Sequence, residues 1–267
     1  MNYLKEIQNC SLDIMIDIDK VCRENDIVYS LCGGSVIGAK LYEGFIPWDD
    51  DIDIMMDRKN YDKFLQIYPK YSQKNYKLVN YNTTPIKNVP ALFSRVIDIN
   101  TETVELINNQ KRKKGQVFVD ITVFDFVPNK FLYYFYELKR YTVYMYYYKI
   151  HGLLPGVKWK RYIFYFISKN LSDKKIKEKY ASYEKFCRKS SRKKRKYCAE
   201  LLGTIFPGRL YNSNLFEQYI DIKFEDQKLM VVHDYDEYLF QRYGRREFTK
   251  ENKGNIHSHI ISFRRVK

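Results

Sequence analysis

Asp49, Asp50, Asp51 and Asp53 crowd four carboxyl groups into five positions, inside the largely apolar run GFIPWDDDIDIMM. Asp51-Ile52-Asp53-Ile54 alternates with period two, as a half-buried strand does. On a strand, residues i and i+2 point to one face, about 6.6 Å apart. Asp51 and Asp53 therefore aim two carboxylates at one spot, while Ile52 and Ile54 enter the core. Like charges held that close repel, and a divalent cation would remove the repulsion. Mg²⁺ suits the place, with Mn²⁺ as a substitute, because hard cations take carboxylate oxygen and keep positions open for substrate phosphates. Upstream, Gly33-Gly34-Ser35 follows the apolar run Ile27 to Leu31. Glycines there let backbone N–H groups approach a phosphate, and the Ser35 hydroxyl adds a donor.

Each half alone has a plainer reading. A Gly-Gly pair is a turn in most proteins. An acidic run is usually a solvated loop or a helix start, and DDDID also suits a weak calcium loop. The alternating isoleucines argue against a solvated loop. Together, the two halves describe a metal and phosphate site.

The flanking segments must position these residues. Leu4 to Arg23 reads as an amphipathic helix, with Leu4, Ile7, Ile14, Ile18 and Val21 on one stripe widened by Leu12, Met15 and Cys22. Ile27 to Leu31 reads as a strand, and Gly34 opens a short helix to about Tyr42, stopped by Gly44. Asp57-Arg58 starts another helix with Tyr61, Phe64, Leu65 and Tyr68 on its apolar face, limited by Pro69. Tyr76 to Tyr81, Ala91 to Ile99 and Gln116 to Ile121 read as strands, and Lys111 to Gly115 as a charged hairpin or loop tip. From Phe131 the chain becomes aromatic and basic, with helices over Phe131 to Ile150, Trp159 to Ile167 and Ser172 to Lys189. Ser172 caps the last of these.

The chain has 267 residues, 17% of them aromatic, so an ordered protein with a substantial core is expected. Its five cysteines include no C-x-x-C pair, which suggests neither a disulfide framework nor a zinc knuckle and fits a reducing cytosol. The start MNYLKEIQN does not read as a signal peptide, and no uncharged apolar run approaches the roughly 18 residues of a membrane span. Net charge is +15, but residues 1–60 carry 6 Lys and Arg against 12 Asp and Glu, leaving +21 on the remainder. A basic surface of that kind suits phosphate-rich ligands, nucleic acid or an anionic membrane. Lys185 to Lys196 alone holds 8 Lys and Arg.

The string GGSVIGAKLYEGFIPWDDDIDIMMDRKNYDKFL resembles the LicD family of phosphocholine transferases, whose relatives include fukutin-type phosphosugar transferases. Its Gly-Gly-Ser and Asp-Ile-Asp elements resemble the signature of the polymerase β-like nucleotidyltransferase fold. The resemblance implies an α/β (α+β) core with a mixed sheet flanked by helices. It divides the chain into a catalytic core at 1–128, an aromatic and basic helical insertion at 129–205, and a C-terminal segment at 206–267. It extends to Arg95, Asp98, Asn100 and Thr101, although Ile97 stands where the family often has a second basic residue. It extends also to FVDITVFDFVP, and to HDYDEYL with Arg242-Tyr243-Gly244, although Arg245 replaces an Asp and a Pro-Pro pair is absent.

The roles that the resemblance implies are these. Asp51, Asp53 and Asp120 are catalytic and hold the metal, with Asp125 as the local alternative to Asp120. Gly33, Gly34, Ser35 and Arg95 bind the donor phosphates. Asp49, Asp50, Trp48, His257 and His259 support the site. The donor is CDP-choline or a similar CDP-alcohol. The acceptor is a sugar hydroxyl of a surface glycan, such as a teichoic acid or lipopolysaccharide, or of its lipid-linked precursor. A nucleotidyltransferase moving NMP to a small molecule is the alternative within the fold. A basic nucleic-acid-binding protein is the alternative outside it, and no RNA-recognition or helix-turn-helix signature supports it. A cytoplasmic protein is expected, in peripheral contact with the inner membrane face.

Overall fold

A computed structural model describes residues 3–85, 92–107, 111–151, 172–202, 209–250 and 260–266. They form an α+β fold whose central sheet is mixed. The chain divides into two compact units: one of residues 1–78, 95–122 and 214–267, the other of 79–94 and 123–213.

The first unit begins with α1, Tyr3–Glu24, which buries Ile7, Cys10, Ile14, Ile18 and Val21 at three- and four-residue spacing. Each such side chain contributes about 1.5–3 kcal/mol by leaving water. β1 (Ser30–Leu31) pairs antiparallel with β2 (Ile52–Asp57), so the expected strand from Ile27 is shorter than its apolar run. Between them lies α2, Gly34–Tyr42. Its left-handed terminal position is taken by Glu43 at φ 54°, not by Gly44. Gly44 instead lies against the Glu225 side chain, which would have to move aside for a Cβ there. α3, Arg58–Tyr71, is capped by Asp57, which accepts from the Asn60 N–H. It runs past Pro69 rather than ending there. Pro69 falls in the last turn, where only one backbone bond is forfeited.

β3 (Tyr76–Val79), β4 (Ser94–Asp98) and β7 (Phe118–Val127) complete the sheet path β1-β2-β7-β4-β3. The Lys111–Gly115 tract is strand β6, paired antiparallel with β5 (Thr101–Ile107), so of the two expected readings it is the hairpin and not the loop tip. β12 (Ile260–Arg265) pairs with the other edge of β5. β10 (Tyr219–Phe224) and β11 (Gln227–Val232) form a hairpin, and α6, Tyr235–Tyr243, follows it. α6 is capped by Asp234 and stopped by Gly244 at φ 73°.

The second unit holds the C-terminal half of β7, with β8 (Tyr197–Ala199) and β9 (Leu210–Asn212). α4 (Lys130–His151) packs on α5 (Asp173–Ser190), whose N-cap is Ser172. Tyr133, Tyr136 and Val143 face inward from α4, and Ile176, Tyr180, Tyr183 and Cys187 from α5. Arg140 is fully buried; its guanidinium donates to Glu137 at 2.9 Å and to the Glu200 carbonyl at 2.9 Å. The expected helix at Trp159 to Ile167 lies outside the described residues, as do His257 and His259. All five cysteines are buried free thiols. Among the described residues no helix is long and apolar enough to cross a membrane.

Candidate active site

β2 carries the acidic residues into the first unit. Ile52 and Ile54 are fully buried and Asp53 is half-buried, which is the alternation expected of them. Asp51 lies just before the strand. Its carboxyl is pushed well above the usual carboxylate range, first by burial and then by Asp53, Asp49, Asp50 and Asp120. Carboxylate oxygens of Asp49, Asp50 and Asp51 lie within 4.8 Å of one another. α1 steadies this run: Gln8 Nε2 donates to the Asp49 carbonyl at 2.8 Å, and the Ser11 hydroxyl donates to the Asp50 carbonyl at 3.4 Å. The Asp50 carboxylate accepts from the Ile260 N–H of β12 at 3.2 Å.

The Gly-Gly-Ser turn is tied to the same strand. The Cys32 N–H donates to the Asp53 carbonyl at 3.0 Å, and the Asp53 N–H donates to Ser35 Oγ at 2.9 Å. Ser35 Oγ thus accepts a backbone bond and retains its own proton as a donor. Gly33 has φ 57° and ψ −129°, a conformation open to glycine alone. A Cβ on Gly33 would sit 3.6 Å from Asp53 Oδ2 and 3.4 Å from Arg242 Nη2; one on Gly34 would sit 3.0 Å from Asp49 Oδ2. The turn and the carboxylates therefore share one small volume.

Two C-terminal residues complete that volume, and neither was expected as a site residue. Arg242 of α6 brings a buried guanidinium beside Gly33 and Asp53. The Tyr238 hydroxyl accepts from the Gly33 N–H at 3.0 Å. Arg242-Tyr243-Gly244 was legible as a family-like element, but nothing in its sequence ties it to a turn some 200 positions away.

Asp120 and Arg95 sit on adjacent strands and grip each other. Arg95 Nε lies 2.6 Å from Asp120 Oδ1, and Nη2 lies 2.9 Å from Oδ2, a bidentate pair. The guanidinium also stacks over Phe118, 3.3 Å from its centroid. The resemblance implies separate tasks for these residues, metal ligand and phosphate clamp, and here they face each other. Asp120 nevertheless lies near enough to Asp51 to raise its pKa. Asp125 belongs to the second unit, fully buried, where its carboxylate accepts from the Ser191 hydroxyl at 2.7 Å.

Of the aromatic residues near the acidic run, Trp48 and Tyr42 are half-buried and meet edge to face, with centroids 6.2 Å apart. The Lys250 ammonium lies 5.4 Å from the centre of the Tyr42 ring. Tyr29, four residues before the Gly33 turn, is a core residue: it is fully buried and its hydroxyl donates to Asp19 at 2.6 Å.

This is a domain that sets a crowded carboxylate group against a glycine turn and a buried arginine. Residues 26–151, just under half of the chain, match the family model described as LicD/FKTN/FKRP, nucleotidyltransferase domain. The chain therefore carries a LicD-family domain. Over 127 residues it is 33% identical to the lipopolysaccharide cholinephosphotransferase LicD of Haemophilus influenzae, covering 48% of this chain and 46% of that protein. It is 31% identical over 130 residues to an uncharacterised protein of Rickettsia typhi, and 27% identical over 131 residues to one of Rickettsia prowazekii. The chain spans less than half the length of these relatives, 37% and 44% for the two rickettsial proteins.

Proposed function

We propose that the chain transfers phosphocholine from CDP-choline to a sugar hydroxyl of a cell-surface glycan or its lipid-linked precursor. The observation that carries this reading is the carboxylate group of Asp49, Asp50, Asp51 and Asp53 set against the Gly33-Gly34 turn, inside the family-matched segment. The relative named as a lipopolysaccharide cholinephosphotransferase supports the group transferred and the glycan acceptor.

The donor set fits a hard divalent cation: carboxylate oxygens of Asp49, Asp50 and Asp51 lie within 4.8 Å of one another, and a cation would offset the burial and the like charges that raise the Asp51 pKa. Asp51 and Asp53 would hold Mg²⁺, with Asp49 and Asp50 beside them. Bound there, it would neutralise the diphosphate and stabilise the departing CMP. The chain's own residues do the rest. The Gly33-Gly34-Ser35 turn gives the donor phosphates close backbone approach and the Ser35 hydroxyl. Arg242 adds a fixed cation at the same turn. Arg95 reaches a phosphate by exchanging its grip on Asp120, which frees that carboxylate for the site. The acceptor oxygen bonds to the choline-bearing phosphorus, the bond from that phosphorus to the CMP oxygen breaks, and the hydroxyl proton passes to Asp53 or Asp120. The Tyr42 ring, over which Lys250 now places its charge, offers an aromatic face for the quaternary ammonium, with Trp48 packed edge to face against it.

The test is incubation of the full chain with choline-labelled CDP-choline, Mg²⁺ and lipopolysaccharide or a lipid-linked glycan extract. Label in the glycan with equimolar CMP is expected. Transfer of a nucleoside monophosphate, with diphosphate released from an NTP, would replace this reading with the nucleotidyltransferase one.

A further inference from the structure

The second unit carries a surface that the chemistry of the first leaves unused. α4 buries Tyr133, Tyr136, Arg140 and Val143 on its inner face. Its outer face, where a soluble helix is normally polar, presents Phe131, Tyr134, Phe135 and Leu138 instead, at spacing i, i+3, i+4, i+7. These residues are 82%, 68%, 46% and 62% exposed. A stripe of that composition marks an interaction site rather than scattered surface hydrophobes.

Charge says what covers it. The second unit has 22 Lys and Arg against six Asp and Glu. Four of the six acids, Asp125, Glu137, Glu184 and Glu200, are buried, so little negative charge reaches the surface. Arg192, Lys193, Lys194, Arg195 and Lys196 form an exposed turn after α5. That turn abuts the start of the stripe, because Lys130 Nζ and Lys196 Nζ lie 5.5 and 5.6 Å from the same Tyr197 ring. Toward the other end, Lys139 lays its ammonium 4.9 Å from the Phe135 ring and 4.0 Å from that of Phe186. Cations at both ends of an apolar helical stripe match a bilayer in which headgroups are anionic and the layer beneath is apolar. Lysine stems snorkel to the headgroups while the aromatic residues enter the interface.

We infer that the second unit docks on an anionic lipid bilayer through the Phe131–Tyr134–Phe135–Leu138 stripe and the Arg192–Lys196 turn. A helix lying in the interface plane uses both terms, the apolar face for depth and the cations for selectivity. Phe131 and Leu138 have no hydrogen bond to offer a nucleic-acid base, although the aromatic rings could stack on one, so an oligonucleotide belongs in the test. The inference stands apart from the chemistry proposed for the first unit, since no substrate enters it.

The experiment is flotation of the full chain with vesicles of phosphatidylcholine alone and of phosphatidylcholine mixed with phosphatidylglycerol, at low and high salt. Wild type should float with the anionic vesicles only and be released by salt. Phe131→Ser with Leu138→Ser, and separately Arg192→Glu with Lys193→Glu, should each lower binding at least about tenfold. These positions are exposed, circular dichroism checks the fold, and the salt dependence of wild type is an independent readout. Four results would overturn the inference. They are equal flotation with neutral vesicles, an apolar variant that floats like wild type, tighter binding to a single-stranded oligonucleotide than to the anionic vesicles, and no flotation at all. In the last case, a dimer in light scattering that the apolar variant abolishes would assign the stripe to a second copy.

Discussion

The two units of this chain handle charge in opposite ways. The first is nearly balanced, with 25 Lys and Arg against 26 Asp and Glu, yet it forces like charges together at Asp49, Asp50, Asp51 and Asp53. The second has a large excess of cations, 22 against six; among the described residues it exposes most of those on α5 and on the turn after it, and it buries most of its acids in bonded positions. Crowded carboxylates cost stability and are useful only if something cationic joins them. Dispersed surface cations cost little and attract an anionic partner at a distance. Net charge alone, +15 for the whole chain, conceals both facts.

Substitution at the carboxylates should separate the units most sharply. Asp51→Asn and Asp53→Asn are expected to lower CMP release from CDP-choline by about a thousandfold or more. Asp120→Asn should follow them. Asp125→Asn, in the second unit and bonded to Ser191, should stay within about tenfold of wild type. An inactive Asp125→Asn beside an active Asp120→Asn would exchange their roles. In EDTA, Asp51→Asn should melt higher than wild type, because it removes one of the crowded carboxyl groups, and Mg²⁺ should stabilise wild type more than the variant.

The next effect is on stability. Arg95→Gln strands Asp120, whose two oxygens both rest on that guanidinium. The side chains are 18% and 11% exposed, so the pair is largely screened from water, and the loss should be about 3 kcal/mol in urea unfolding. A loss under about 0.5 kcal/mol would mean the pair is easily exchanged and Arg95 acts mainly on a phosphate. The smallest effect belongs to the outer face of α4. Phe131→Ser should change stability by less than about 0.5 kcal/mol. Tyr133→Ala, two residues on and facing inward, should cost about 3–5 kcal/mol. Equal losses would show that the stripe is covered within the chain.

Local pattern made part of this legible. The period-two alternation at Ile52 and Ile54 placed Asp53 correctly, and Ser172, Asp57 and the α1 stripe behaved as their residue types require. What escaped was tertiary. Arg95 meets Asp120 across two adjacent strands, a partnership that neither local sequence encodes. Arg242 and Tyr238 reach Gly33 only because α6 is carried there by the β10–β11 hairpin, whose packing against β1 no local pattern states. Lys111–Gly115 left a hairpin and a loop tip both open because its residues are charged, and the partner edge offered by β5 makes it a strand. Glu43 took the left-handed position expected of a glycine, tied by its carboxylate to Lys223 at 2.6 Å.

The central claim is that the carboxylate group beside the Gly33 turn receives a metal-bound CDP-alcohol. Calorimetric titration of the full chain with CDP-choline tests it directly, in Mg²⁺ and in EDTA, for wild type and for Asp51→Asn. The account predicts saturable one-to-one binding to wild type in Mg²⁺, at least about tenfold weaker in EDTA and in Asp51→Asn. Equal affinity in EDTA, or undiminished binding to Asp51→Asn, would contradict it.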